Sequence, residues 1–228
     1  RLDGAEVATR IELAERELRA GVAEHRARGG SVVIMDPHTG ELLAIANSPS
    51  FNPNAFAKSG PDQWRNRAVQ DIYEPGSTFK MITASAALET GAFSPNDVID
   101  TGSGVITLGS RRVTEYEGHR YGALSLTDVM VKSSNVGAIK IGFGLGAERL
   151  GAFVKAFGFG TRLSPDFPGE NAGMVWAPER WSQSSLMSVS MGYEIGVTPL
   201  QMAAAASTIA NGGELIQPRV VRAVIEGG

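Results

Sequence analysis

A chain of 228 residues, 43% hydrophobic and 20% charged, is long enough for one large domain or two small ones and apolar enough for a real core. Its formal net charge is -3, with no stripe of Lys or Arg, which argues against a nucleic-acid partner. It has no cysteine, so disulfides, thiol catalysis and thiolate metal sites are excluded, and no apolar run reaches membrane-spanning length.

Residues 7–28 predict an amphipathic helix. Ile11, Leu13, Ala14, Leu18 and Val22 recur at helical spacing between Glu12, Glu15, Glu17 and Arg19, and Gly29 and Gly30 stop it. Residues 31–35 and 41–46 read as two strands joined by the turn formers Asp36, Pro37, Thr39 and Gly40. A helix followed by a hairpin predicts an antiparallel sheet with a helix on one face. Residues 47–71 read as loop, broken by Pro49, Pro53 and Pro61.

An apolar helix is expected from Ser77 to Glu89, ended by Gly91. Residues 105–108 and 111–113 suggest an edge hairpin. Ser125 and Asp128 resemble a capping box for a short helix over 126–132. A second helix starts at Val136 and weakens at Gly142 and Gly144, and another covers residues 147–157. Residues 161–180 are irregular, and 181–190 show no clean period. Thr198 and Pro199 start a strong helix over 200–210, closed by Asn211, Gly212 and Gly213, and residues 219–221 suggest a further strand. His25, His38 and His119 match no metal spacing. The whole is read as a single domain.

Two short patterns carry chemistry. Ser77 and Lys80 form Ser-x-x-Lys after the loop residues Tyr73, Glu74, Pro75 and Gly76. On a helix they share a face, one turn apart. A serine hydroxyl needs a base within hydrogen-bond reach, and a lysine serves only when its pKa is lowered by burial or a nearby cation. Taken alone, the same pattern describes a helix cap with a solvated lysine. Ser133, Ser134 and Asn135 give Ser-x-Asn at a junction between two helices, where a hydroxyl and an amide can turn into a cleft; capping is again the plainer reading.

Together with residues 33–37, 39–41, 132–137, 166–170, 181–183, 192–195, 197–201 and 209–213, these motifs make the chain resemble the transpeptidase domain of a penicillin-binding protein. The resemblance is narrowest to the class B septal enzymes of cell division. It implies an α/β fold of the α+β type, penicillin-binding protein/serine β-lactamase-like, with an antiparallel sheet flanked by helices and a central helical region. It also implies a D,D-transpeptidase that cross-links D-Ala-D-Ala stem peptides through an acyl-enzyme on Ser77 and is acylated by β-lactams. Lys80 would be the base, Ser133 a proton relay, and Asn135 a ligand of Lys80 or of the substrate amide. No metal or cofactor is implied. The implied partners are stem peptides, β-lactams, a membrane glycosyltransferase and other division proteins. The implied location is the extracytoplasmic face of the cytoplasmic membrane, behind an N-terminal transmembrane anchor.

The family's third motif, Lys-Thr-Gly or Lys-Ser-Gly, does not occur in this chain. Residues 1–228 therefore read as a partial transpeptidase domain, comprising the N-terminal helix, the first hairpin and the helical region. Arg1 and the pair Gly227 and Gly228 read as cuts, and open strand edges predict self-association. A complete chain without transpeptidase activity is the other reading. A serine β-lactamase would need an efficient way to deacylate, commonly an extra carboxylate or a modified lysine; Glu170 and Glu194 are candidates by residue type. A non-catalytic binding module is the alternative from another class. Trp176, Trp181 and Tyr193 read as packing residues before glycan contacts.

Overall fold

The computed structural model describes residues 4–221, so the chain ends read above as cuts lie outside the described residues. Two compact units divide the chain. The first is built from Arg1–Ile72, Gly160–Gly173 and Val197–Gly228, the second from Tyr73–Phe159 and Met174–Gly196.

In the first unit, α1 (Gly4–Glu24) ends before the glycine pair predicted to stop it. Arg26 takes a left-handed φ of 50°, and the N–H groups of Arg26 and Ala27 turn back to the carbonyls of Ala23 and Val22. Strands β1 (Gly30–Met35) and β2 (Leu42–Ser48) pair antiparallel, with Val32 opposite Ala46 and Val33 opposite Ile45. The alternation of a strand then gives the ribbon two apolar faces. Ala14 and Leu18 of α1 pack with Val32, Ala44 and Ala46 on one. On the other, Val33, Leu42 and Ile45 pack against Ala68, Val69, Phe167 and Leu200. Helices thus cover both faces, where the pattern predicted one.

The region predicted as loop holds a 3-10 helix (Pro53–Lys58) and two single-turn helices, α2 (Pro61–Trp64) and α3 (Arg67–Gln70). Pro53 and Pro61 begin helical turns instead of breaking them, since a first-turn N–H has no helical acceptor to lose. Helix α8 (Pro199–Ala210) starts with the reciprocal Thr198 and Gln201 capping bonds that its sequence predicts. Residues 219–221 add only a bridge beside Glu41: the Leu42 N–H donates to Arg219 O, and the Arg219 N–H donates to Gly40 O.

The second unit is mostly helical. Helix α4 (Lys80–Glu89) buries Ile82, Ala86 and Ala87 completely. The short strands β3 (Val98–Asp100) and β6 (Ala123–Ser125) pair with each other, and β4 (Val105–Leu108) pairs with β5 (Arg111–Thr114) as the pattern predicts. Helix α5 (Leu126–Val131) begins at Ser125, whose Oγ accepts from the Asp128 N–H at 3.0 Å. Helix α6 (Asn135–Ala156) runs through Gly142 and Gly144 and breaks at Gly146, whose φ is 78°. The two earlier glycines mark close approaches. A Cβ on Gly142 would lie 1.8 Å from Ser190 Oγ, and one on Gly144 would lie 2.7 Å from the Phe93 ring. Helix α7 (Gln183–Ser190), left unassigned by periodicity, starts at a Ser182 cap. Ala138 and Ile139 of α6 meet Met187 and Met191 in a core that Ile106, Leu108 and Val113 close. Among the described residues, no helix is long and apolar enough to cross a membrane.

Candidate active site

The turn before α4 is held from three directions within the second unit. A 3-10 turn, Gly76–Phe79, leads directly into the helix, and the Lys80 N–H donates to Ser77 O. The Gly76 N–H donates to Gly192 O at 2.9 Å, and Thr78 Oγ1 donates to Pro75 O at 2.7 Å. Phe79 is fully buried, its ring 5.3 Å from that of Phe159. Gly192 must be glycine: its φ is 86°, and a Cβ would lie 2.1 Å from Gly76 O. Glu74 Oε1 accepts from the Glu194 N–H at 2.8 Å, tying the two turns once more.

This anchoring leaves Ser77 exposed, and its hydroxyl makes no hydrogen bond among the described residues. Lys80, three residues on, is the opposite: its side chain is 1% exposed. Its Nζ donates to Ser133 O at 2.6 Å, to Asn135 Oδ1 at 2.8 Å and to Ser133 Oγ at 3.1 Å. Burial lowers its pKa from the ordinary lysine value to about 8, and the negative charge of Glu115 partly opposes that fall. Two of the three acceptors are carbonyl oxygens that can only accept. The Ser133 hydroxyl can reverse, donating to a neutral amine after accepting from an ammonium.

The junction between α5 and α6 makes this possible. Ser133 sits at φ 50°, in the left-handed region, which points its carbonyl at Lys80. Ser134 is buried and caps α6, its Oγ accepting from the Gly137 N–H at 2.9 Å. Asn135 Nδ2 donates to Thr114 O at 3.0 Å, which orients the amide with its oxygen toward Lys80.

The motifs therefore bring Lys80, Ser133 and Asn135 into direct contact, with Ser77 one turn from Lys80. They missed Glu115. It is 2% exposed, and its carboxylate accepts from Ser134 Oγ at 2.5 Å, the Asn135 N–H at 2.6 Å and the Val136 N–H at 3.3 Å. Its position just after the predicted edge hairpin was the only local signal.

The two carboxylates considered for deacylation are each hydrogen-bonded within their own unit. Both oxygens of Glu170, in the first unit, accept backbone N–H groups, from Leu163 and Ser164 at 2.8 Å each. Glu194 Oε1 accepts from Ser188 Oγ at 2.7 Å and lies 3.7 Å from Arg111 Nη1. A cleft of about 810 Å³ lies wholly within the first unit, lined by Trp64, Arg65, Gln70, Arg162, Glu170 and Asn171 among others, and includes none of the four motif residues. Trp181 Nε1 donates to Trp176 O, and Arg180 lies over the Trp176 ring.

The model of the penicillin binding protein transpeptidase domain matches residues 30–226. The probable peptidoglycan D,D-transpeptidase PenA of Neisseria flavescens is 37% identical over 204 residues, covering 90% of this chain and 50% of that protein. The peptidoglycan D,D-transpeptidase FtsI of Escherichia coli K12 is 37% identical over 201 residues, covering 88% of this chain and 34% of that protein. The transpeptidase-domain structure of penicillin-binding protein 3 from Burkholderia pseudomallei superposes with a TM-score of 0.84 at 29% identity, over 95% of this chain and 60% of that one. The fold is accordingly the penicillin-binding protein/serine β-lactamase-like α/β fold, an open antiparallel sheet flanked by helices. The chain belongs to the penicillin-binding-protein transpeptidase family, as a class B domain closely resembling the septal D,D-transpeptidases such as FtsI and PenA. It spans half or less of the length of these curated relatives.

Proposed function

We propose that this chain is part of a peptidoglycan D,D-transpeptidase whose nucleophile is Ser77. The observation that carries the reading is Lys80: a buried amine one helical turn from an exposed, uncommitted serine, with its pKa lowered to about 8. At pH 7 about a tenth of such lysines are neutral, enough to act as a base. Ser77 Oγ attacks the carbonyl carbon of the penultimate D-Ala as its proton passes to Lys80. Collapse breaks the C–N bond to the terminal D-Ala, whose nitrogen receives a proton relayed by Ser133 from Lys80. The amine of a neighbouring stem peptide then attacks the ester, forming the cross-link and returning Ser77 to its hydroxyl. The N–H of Ser77, in a first turn with no helical acceptor, serves as one oxyanion donor. Asn135 holds Lys80 in this scheme.

A β-lactam enters by the same attack and remains as an ester. Kinship with septal enzymes supports a role in division, outside the cytoplasmic membrane and beside a glycosyltransferase, behind an N-terminal anchor. It also supports reading the chain as a partial domain whose remaining strands carry the Lys-Thr/Ser-Gly motif. The β-lactamase alternative needs a deacylating group, and its two carboxylate candidates, Glu170 and Glu194, are both hydrogen-bonded within the fold.

The test is intact mass of the full-length protein before and after benzylpenicillin, with peptide mapping. One stable adduct on Ser77, absent in Ser77→Ala, is expected. No adduct, or an adduct on another residue, overturns the assignment.

A further inference from the structure

Glu115 stands outside both motifs, yet it is bonded to the backbone that presents one of them. It follows β5 directly, and its own N–H donates to Gly104 O at 2.9 Å. Gly104 has φ 77°, and a Cβ there would lie 2.1 Å from His119 O, so the loop that carries Glu115 is closely packed. From this support the carboxylate takes one hydroxyl and two consecutive N–H groups at the start of α6. Those bonds span Ser134, Asn135 and Val136. The residues on either side of the Ser134 cap, Ser133 and Asn135, supply all three acceptors of Lys80 Nζ.

We infer that Glu115 is a positioning residue for the reaction at Ser77: its carboxylate holds the turn that presents Ser133 and Asn135 to Lys80, and its charge acts on Lys80 through that turn. The inference rests on the transpeptidase reading above. Ser134 supplies the rigid middle of the device, since its Oγ donates to Glu115 while accepting from Gly137. A neutral side chain of the same shape would keep part of the hydrogen bonding and none of the charge.

The electrostatic surroundings are simple. The negative charge of Glu115 opposes the fall in the Lys80 pKa that burial causes. On α5, Asp128 accepts from the Ser125 hydroxyl, and Lys132 beyond its end is exposed. On α6, Lys140 is exposed and donates to Asp100 O. On α4 itself, Glu89 is exposed at the far end. Glu74 accepts from Glu194 N before the turn.

The experiment is the pH dependence of the acylation rate of the full-length protein by a fluorescent penicillin, in wild type, Glu115→Gln and Glu115→Asp. Removing the charge makes the Lys80 ammonium less favourable, so the rising limb in Glu115→Gln moves to lower pH, by roughly one unit. Glu115→Asp keeps the charge and restores the midpoint, but at a lower rate, because a carboxylate withdrawn by one methylene cannot hold all three donors. A Glu115→Gln limb at the wild-type midpoint overturns the inference, whatever the rate, because a purely structural role lowers rates without moving the limb. Should Glu115→Gln fail to melt cooperatively, Glu115→Asp decides: wild-type rate and midpoint together overturn the positioning role. Wild-type protein that forms no adduct on Ser77 instead overturns the functional reading beneath it.

Discussion

Among the described residues two carboxylates are buried, one in each unit, and they are bonded in nearly the same way. Glu170 in the first unit and Glu115 in the second are 1% and 2% exposed, and each accepts two consecutive backbone N–H groups. Glu170 stops there, closing the loop from Leu163 to its own position, and no buried cation shares its surroundings among the described residues. Glu115 takes a serine hydroxyl as well, and its charge bears on the buried amine of Lys80. The same device is a staple where it meets only backbone and a control on proton transfer where it meets a cation. Burial of a carboxylate is therefore no sign of function by itself; what shares its low-dielectric surroundings decides.

The sharpest way to test the contrast is to remove the cation. Lys80→Met should lower acylation about a thousandfold, read with a fluorescent penicillin, while the protein still melts cooperatively. In that background Glu115→Gln should alter stability alone, as a change at Glu170 does.

The pH dependence of folding gives a second measure. The folded-state pKa of Lys80 is lowered to about 8, so between there and the ordinary lysine value the unfolded chain binds more protons. Wild-type stability relative to Lys80→Met should therefore rise with pH across that window, by on the order of 3 kcal/mol, in denaturant titrations. A flat difference would remove the buried-amine half of the comparison.

Glu170→Ala tests the other half. It strands the N–H groups of Leu163 and Ser164 and should cost about 3 kcal/mol, a fall of roughly 6–12 °C in Tm, with the acylation midpoint unmoved. Gly142→Ala is the control inside the second unit. Its Cβ would overlap Ser190 Oγ, costing about 2 kcal/mol, again with no shift in midpoint. The smallest effect belongs to Asp166, a half-buried residue whose carboxylate also accepts two N–H groups, from Val220 and Val221, which hold its pKa below the usual range. Its contribution is present above the ordinary aspartate pKa and is lost as pH falls through the lowered value. Asp166→Asn should flatten only that acid limb of a stability curve.

Much of this was legible in the sequence for local reasons. The Ser77 turn, the Ser125, Thr198 and Pro199 helix starts and the hairpin of β4 and β5 all rest on patterns within a few residues. So does the Ser-x-Asn junction, because a cap and a chemical group occupy the same short stretch. The rest was hidden by distance. Strands β3 and β6 are three residues each and pair across residues 101–122, which hold the β4 and β5 hairpin. Gly142 and Gly144 looked like helix breakers because nothing nearby reveals that Ser190 and Phe93 press against them. Glu115 lies in a polar, turn-rich stretch, and only folding brings it to Ser134.

The shortest bond to Lys80 comes from the main chain, at Ser133 O, and not from a side chain. Mutation can therefore exchange the relay at position 133 without cutting the anchor. Alanine there would silence the hydroxyl and keep the carbonyl, and glycine would keep the carbonyl with an easier fit to the left-handed backbone. The codon at 133 thus edits chemistry, while the geometry that steadies the lysine is inherited from the shape of the polypeptide itself.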